Sequence, residues 1–118
     1  MFGLEGVKVY LAREPVDLRK SIDGLSVLVG QVLGQDPFSA QLFVFINRRR
    51  DKLKALRWDH NGFVLYYKRL ERRRFPWPAI DAGQQTLVIE PRQLQWLLSG
   101  LSIEQRQALP AVAASAIA

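Results

Sequence analysis

Fixed positive charge, suited to oxygen anions, is the chemistry most concentrated in this chain. Eleven of its seventeen Lys and Arg residues fall between Arg48 and Arg74, where only Asp51, Asp59 and Glu71 oppose them. Outside that window six cations face eight acids, so the polarity is local. Clustered cations suit a polyphosphate, because each one placed beside a phosphate releases condensed counterions. A lone charge run usually means no more than a solvated face. Here Trp58, Tyr66, Tyr67, Phe75 and Trp77 lie among the charges, and nucleic acid is the favoured partner. Arg48, Arg49, Arg50, Lys52 and Lys54 are expected to meet phosphates from one side, and Lys68, Arg69, Arg72, Arg73 and Arg74 from the other. Trp58, Tyr66, Phe75 or Trp77 would stack on unpaired bases. Of these, Trp77 is assigned to the nucleic-acid site, whereas core packing is the stronger expectation for Trp58 and Tyr67.

Bond-breaking chemistry is poorly served. The chain has no cysteine and one histidine, His60, which removes thiolate nucleophiles and the common zinc sites. A metal-dependent nuclease needs several carboxylates converging on the ion. Here Asp17 reads as a helix cap, Asp36 precedes Pro37, Asp51 and Asp59 lie at turns, and Glu71 is flanked by Arg72. Ser21 and Ser26 have no histidine that spacing brings near. No catalytic residue, metal or cofactor is expected. Lack of cysteine fits a reducing compartment. The start, MFGLEGVKVYLAREP, has neither a basic leader nor an apolar run of membrane-spanning length, so a soluble cytoplasmic protein is expected.

Positioning these residues falls to a single domain of residues 1–109, followed by a flexible tail of residues 110–118, within a chain of 118 residues. Val7 to Ala12 alternates as a strand does. Leu18, Ile22, Leu25, Val29 and Val32 then recur at helical spacing. This predicts one amphipathic helix over Leu18 to Leu33, with Asp17 as N-cap and Gly34 taking the left-handed turn at its end. Leu42 to Ile46 is apolar on both sides, as in a central strand. Lys52 to Trp58 and Phe63 to Lys68 flank Asp59 to Gly62 in a hairpin whose tight turn the Asn61-Gly62 pair would supply. One hairpin face carries Lys54, Leu56, Trp58, Phe63, Leu65, Tyr67 and Arg69; the other carries Leu53, Ala55, Arg57, Asp59, Val64, Tyr66 and Lys68. RLERRRFPWP lacks periodicity and holds two prolines, so it reads as an exposed arm. Thr86 to Glu90 is a strand, and Pro91 opens a short helix striped by Leu94, Leu97, Leu98 and Leu101. Ser102 with Gln105 resembles a capping box for a further short helix ended by Pro110. The fold class is α+β: a mostly antiparallel sheet around the Leu42 to Lys68 meander, one long helix packed on it, and a short C-terminal helix. The first strand joins that sheet. If it runs parallel to Leu42 to Ile46, the helix between them is a crossover.

Several strings in this order are distinctive. VYLAREPVDLRKSIDGL is followed by DPFSAQLFVFINRRRDKLKALRWDHNGFVLYYKRLERRRFPWP and, less closely, by IEPRQLQWLLSGL. Together they resemble the TnpB accessory proteins of the insertion-sequence 66 family of bacterial mobile elements. This chain departs from the family's usual glycine at Ser21, Ala40 and Arg73. The resemblance implies a small protein that acts in transposition beside a separate transposase and is not itself the strand-transfer enzyme. The expected partners are therefore DNA at the element's ends and the transposase, with no membrane. An adaptor that binds the transposase and touches DNA little is the alternative, since Arg and Trp also serve protein interfaces. Arg19, Lys20 and Phe75 are the candidate partner contacts, although Arg19 and Lys20 are equally well read as solvated.

Overall fold

The computed structural model describes residues 3–105. Five strands, Val9–Ala12 (β1), Leu42–Ile46 (β2), Lys52–Asp59 (β3), Gly62–Arg69 (β4) and Thr86–Ile89 (β5), and two helices, Ile22–Gln31 (α1) and Pro91–Leu98 (α2), follow in the order β1-α1-β2-β3-β4-β5-α2. They build one sheet in the order β4-β3-β2-β1-β5. β1 and β2 are parallel, with α1 as the crossover between them, and every other adjacent pair is antiparallel. The α+β architecture expected from the sequence is thus the observed one.

Side chains on a strand alternate between faces, so the sheet separates two cores. Ala12, Phe43, Phe45 and Leu56 meet Leu25 and Val29 of α1 on one face. Val9, Leu11, Val44, Ile46, Leu53 and Ala55 line the other, under Leu94 and Leu97 of α2. β2 is buried at every position, as its continuous apolar run requires. Gly34 takes φ 66 just after α1, as expected. α2 opens with Pro91 and a reciprocal cap: the Glu90 amide donates to Gln93 Oε1 at 2.8 Å, and the Glu90 side chain accepts from the Gln93 amide.

Three expectations need correction. First, α1 begins at Ile22 and Asp17 does not cap it. Asp17 Oδ1 accepts the Arg19 amide at 2.9 Å, and its carbonyl accepts the Lys20 amide at 3.1 Å, which makes a turn. A helix starting at Leu18 would aim the Leu18 and Lys20 carbonyls along its axis. Lys54 Nζ takes both sideways instead, at 2.6 and 2.8 Å.

Second, RLERRRFPWP is not an exposed arm throughout. Arg72, Arg73 and Arg74 are exposed, but Phe75 and Trp77 are 1% and 7% exposed and belong to the core on the α2 side. Trp77 Nε1 donates to the Ala12 carbonyl at 3.0 Å. Proline bars this segment from helices and ladders but not from running as an extended strap. The strap drops Phe75 and Trp77 inward, onto a face that α2 alone does not cover. Trp77 therefore leaves the nucleic-acid set, and Phe75 leaves the partner contacts.

Third, the outer hairpin is less buried than expected. Trp58 is only partly buried, and Tyr67 is 50% exposed. The two hairpin faces are those expected, but β4 is an edge strand with no neighbour on its outer side. The hairpin turn is His60-Asn61, with the positive φ, 61, on His60, while Gly62 pairs with Asp59 in the ladder. Ser102 Oγ accepts the Glu104 amide at 3.1 Å. Residues 102–105 form no helix; the rest of the expected third helix and the tail lie outside the described residues.

Leu25→Ala should lower unfolding free energy by roughly 2–5 kcal/mol and Phe75→Ala by roughly 3–5 kcal/mol, as measured by denaturant titration; a wild-type midpoint for the second would return the strap to the surface. Ala40, one of the positions where glycine was expected, sits at φ 68. Ala40→Gly should stabilise the domain by up to about 1 kcal/mol, since the relieved left-handed strain exceeds the entropy cost of glycine.

Candidate nucleic-acid interface

Arg48, Arg49 and Arg50 are exposed in the turn between β2 and β3. Asn47 shapes that turn. Its carbonyl accepts the Arg50 amide at 3.0 Å, its Oδ1 accepts the Lys52 amide at 2.9 Å, and its Nδ2 donates to Asp51 Oδ1 at 2.7 Å. These bonds hold Arg50 at φ 64. The Asn47 hydrogen bond, aided by Lys52 and Arg49, also lowers the Asp51 pKa below its ordinary value.

The chain returns to this turn after β4. Leu70 donates its amide to the Asp51 carbonyl at 2.8 Å, and Phe75 donates to the Arg50 carbonyl at 2.7 Å. Residues 71–74 bulge between those two clamps, which sets Arg72, Arg73 and Arg74 beside Arg48, Arg49 and Arg50. Lys52 and Arg69 pair across the hairpin at the same end. Arg69 is held by Glu71 at 2.8 Å. Among the described residues no salt bridge engages the six arginines of the two triplets. Like charges so placed repel one another, and a shared polyanion relieves that repulsion.

Two lysines of the expected set do not join this cluster. Lys54 is held by the Leu18 and Lys20 carbonyls, with its ammonium 5.4 Å from the centre of the Tyr67 ring. Lys68 Nζ donates to the Leu98 carbonyl at 2.7 Å, where a cation complements the C-terminal end of α2. Arg57, the cation of this window left out of the expected site, bonds the Ala40 carbonyl at 2.9 Å and the Gly3 carbonyl at 3.0 Å. All three brace the fold.

Beside the first triplet an open hollow of about 510 Å³ is lined by Pro15, Val16, Asp17, Leu18, Arg19, Asn47, Arg48, Arg49, Lys52 and Tyr67. Arg19, expected as a partner contact, grips Asp17 with Nη2 to Oδ2 at 2.6 Å and Nε to Oδ1 and Oδ2 at 3.1 and 2.9 Å. That grip lowers the Asp17 pKa from 3.8 to about 2. Lys20 is exposed alongside.

The opposite end of the hairpin is aromatic. Trp58 and Phe63 pair across the strands with ring centres 5.0 Å apart, and Phe38, 58% exposed, lies 5.1 and 5.4 Å from them. Sequence reasoning missed Phe38. The Asp36-Pro37 turn that delivers it, with the Phe38 amide on Asp36 Oδ1 at 2.9 Å, carries no periodic signal. Among the described residues no group of three or more His, Cys, Asp or Glu side chains is placed to hold a metal, and no helix is long and apolar enough to cross a membrane.

Residues 7–108 match the family model described as IS66 Orf2 like protein. Two proteins of Sinorhizobium fredii (strain NBRC 101917 / NGR234), both named as uncharacterized, are similar to the chain. The protein y4jC is 36% identical over 81% of this chain and 80% of its own length. The protein y4hO is 38% identical over 82% and 83%, respectively. No solved structure matches significantly. The chain belongs to the IS66 Orf2-like family, the accessory proteins of IS66 insertion sequences.

The Asp17–Arg19 grip has a pH signature. A carboxylate whose pKa is depressed by folding stabilises the native state above its unfolded pKa and loses that contribution as pH falls through its folded pKa. For Asp17 the window runs from 3.8 down to about 2. Carboxyl-carbon NMR should place its midpoint near the lower figure in wild type and move it back toward the upper one in Arg19→Ala.

Proposed function

We propose that this IS66 Orf2-like protein is a non-catalytic transposition factor that holds element DNA on the basic end of its sheet and works beside a separate transposase. One observation carries the reading. Two arginine triplets, from segments well apart in sequence, are clamped side by side by the Phe75–Arg50 and Leu70–Asp51 backbone bonds and, among the described residues, make no ion pair. Arg48, Arg49, Arg50, Lys52, Arg69, Arg72, Arg73 and Arg74 form the phosphate-facing set. Both triplets lie outside the helices. Binding of this kind is positional, because phosphate contacts carry no sequence information.

A second reading, the adaptor, is favoured by the exposed Phe38, which stands against the partly buried Trp58 and Phe63 at the other end. Aromatic rings that a protein leaves on its surface suit a protein partner. The two readings are compatible if DNA and transposase meet opposite ends.

Arg72→Ala combined with Arg73→Ala and Arg74→Ala should weaken DNA binding and flatten its dependence on log salt by about one unit of slope per lost contact. The melting temperature should stay at the wild-type value, since these side chains are exposed. An unchanged salt slope would refute the phosphate assignment, and unchanged DNA binding with loss of co-purifying transposase would favour the adaptor.

A further inference from the structure

We infer that the hollow between the lead-in to α1 and the β2–β3 turn seats one unpaired nucleotide of the bound DNA, its phosphate on Arg48, Arg49 and Lys52 and its base on the Tyr67 ring. This inference rests on the DNA-binding reading and adds the strand form it prefers. The hollow's volume of about 510 Å³ falls within the range of small-ligand pockets. Four of its lining side chains are cations and one is a carboxylate. That carboxylate, Asp17, is already saturated by the Arg19 guanidinium, which grips both its oxygens. The remaining cations, Arg48, Arg49 and Lys52, lie on one wall, in and just after the β2–β3 turn.

Tyr67 supplies the second, independent feature. It lies on the sheet face that α1 covers, yet half its surface is exposed, because β4 is the edge strand. Lys54 Nζ stands 5.4 Å from the ring centre, and that ammonium is anchored on two backbone carbonyls, so the ring has a positioned neighbour. An exposed aromatic surface beside three cationic side chains is the arrangement by which single strands are held, phosphates on cations and bases on rings. The other rings of the basic window do not compete here. Phe75 and Trp77 are buried, Trp58 is engaged at the hairpin's opposite end, and Tyr66 packs against the core on the α2 side. Duplex DNA keeps its bases stacked inside the helix, so it offers phosphates to the arginines and nothing to Tyr67.

The test uses the full chain and three fluorescent probes of equal length at one salt concentration: single-stranded DNA, the same strand with abasic sites, and the duplex. Wild type should bind the intact strand more tightly than the abasic one. Tyr67→Ala should weaken the intact strand by roughly 5- to 150-fold, the range for one lost stacked base, while leaving the abasic strand and the duplex within about twofold. Tyr67→Phe keeps the ring and should bind like wild type, and circular dichroism of both variants reports the fold. Equal loss on all three probes, or no loss on any, would overturn the nucleotide seat while leaving DNA binding in place. Failure of wild type to bind any probe would overturn the DNA-binding reading itself.

Discussion

The sheet has two apolar faces, and among the described residues two short helices are there to cover them. α1 settles one face with Leu25 and Val29, while α2, eight residues long, reaches only part of the other. Phe75 and Trp77 close the remainder. Their burial draws the chain back from the end of β4 across the β2–β3 turn, and Trp77 is locked there by its bond to the Ala12 carbonyl. Residues 71–74 have to bridge the gap between edge strand and strap, and Arg72, Arg73 and Arg74 are thereby held next to Arg48, Arg49 and Arg50. A hydrophobic requirement on one face of the sheet thus places the charges at its end. Desolvating two large aromatics contributes several kcal/mol, more than the screened repulsion among exposed arginines opposes. The packing decides where the charges go.

The cations divide by chemistry. Lys54 and Lys68 reach inward, each presenting a compact ammonium to carbonyls that helix ends and turns leave open. Arg48 to Arg50 and Arg72 to Arg74 remain outside, where a planar guanidinium pairs in a forked manner with phosphate oxygens. Arg57 alone among the arginines of this window is drawn in, to hold the Ala40 carbonyl of a turn whose alanine is forced to φ 68.

Local periodicity made much of this legible in advance. The stripe of α1, the all-apolar β2 and the parity of the hairpin faces follow from neighbours in sequence, and the structure reproduces them. What escaped depended on distant partners. The turn ahead of α1 is bonded by a lysine 36 residues away from Leu18, a partner that the neighbours of Asp17 do not announce. Lys68 is tied to Leu98, 30 residues on, so charge counting alone left it at the surface. The strap failed for a different reason. Phe75-Pro76-Trp77 offers one period of alternation, too short to register, and its prolines exclude helix and ladder without excluding burial. Trp77 and Tyr67 thereby exchanged places: the ring between prolines became core, and the ring on the apolar strand face stayed half in solvent because its strand ended up at the edge.

That exchange bears on how a small basic domain could contribute to transposition. An end built of arginines supplies affinity and position but no means of telling one sequence from another, since every phosphate is alike to a guanidinium. Discrimination then has to come from the form of the DNA or from a second protein. Under the proposed seat, the Tyr67 ring beside the arginines would favour strands whose bases are already unpaired, because pulling a base from a duplex costs a few kcal/mol before any stacking is regained. A domain of this kind would bind almost any DNA weakly and frayed or opened ends more firmly, and the choice of which ends to open would rest with the transposase.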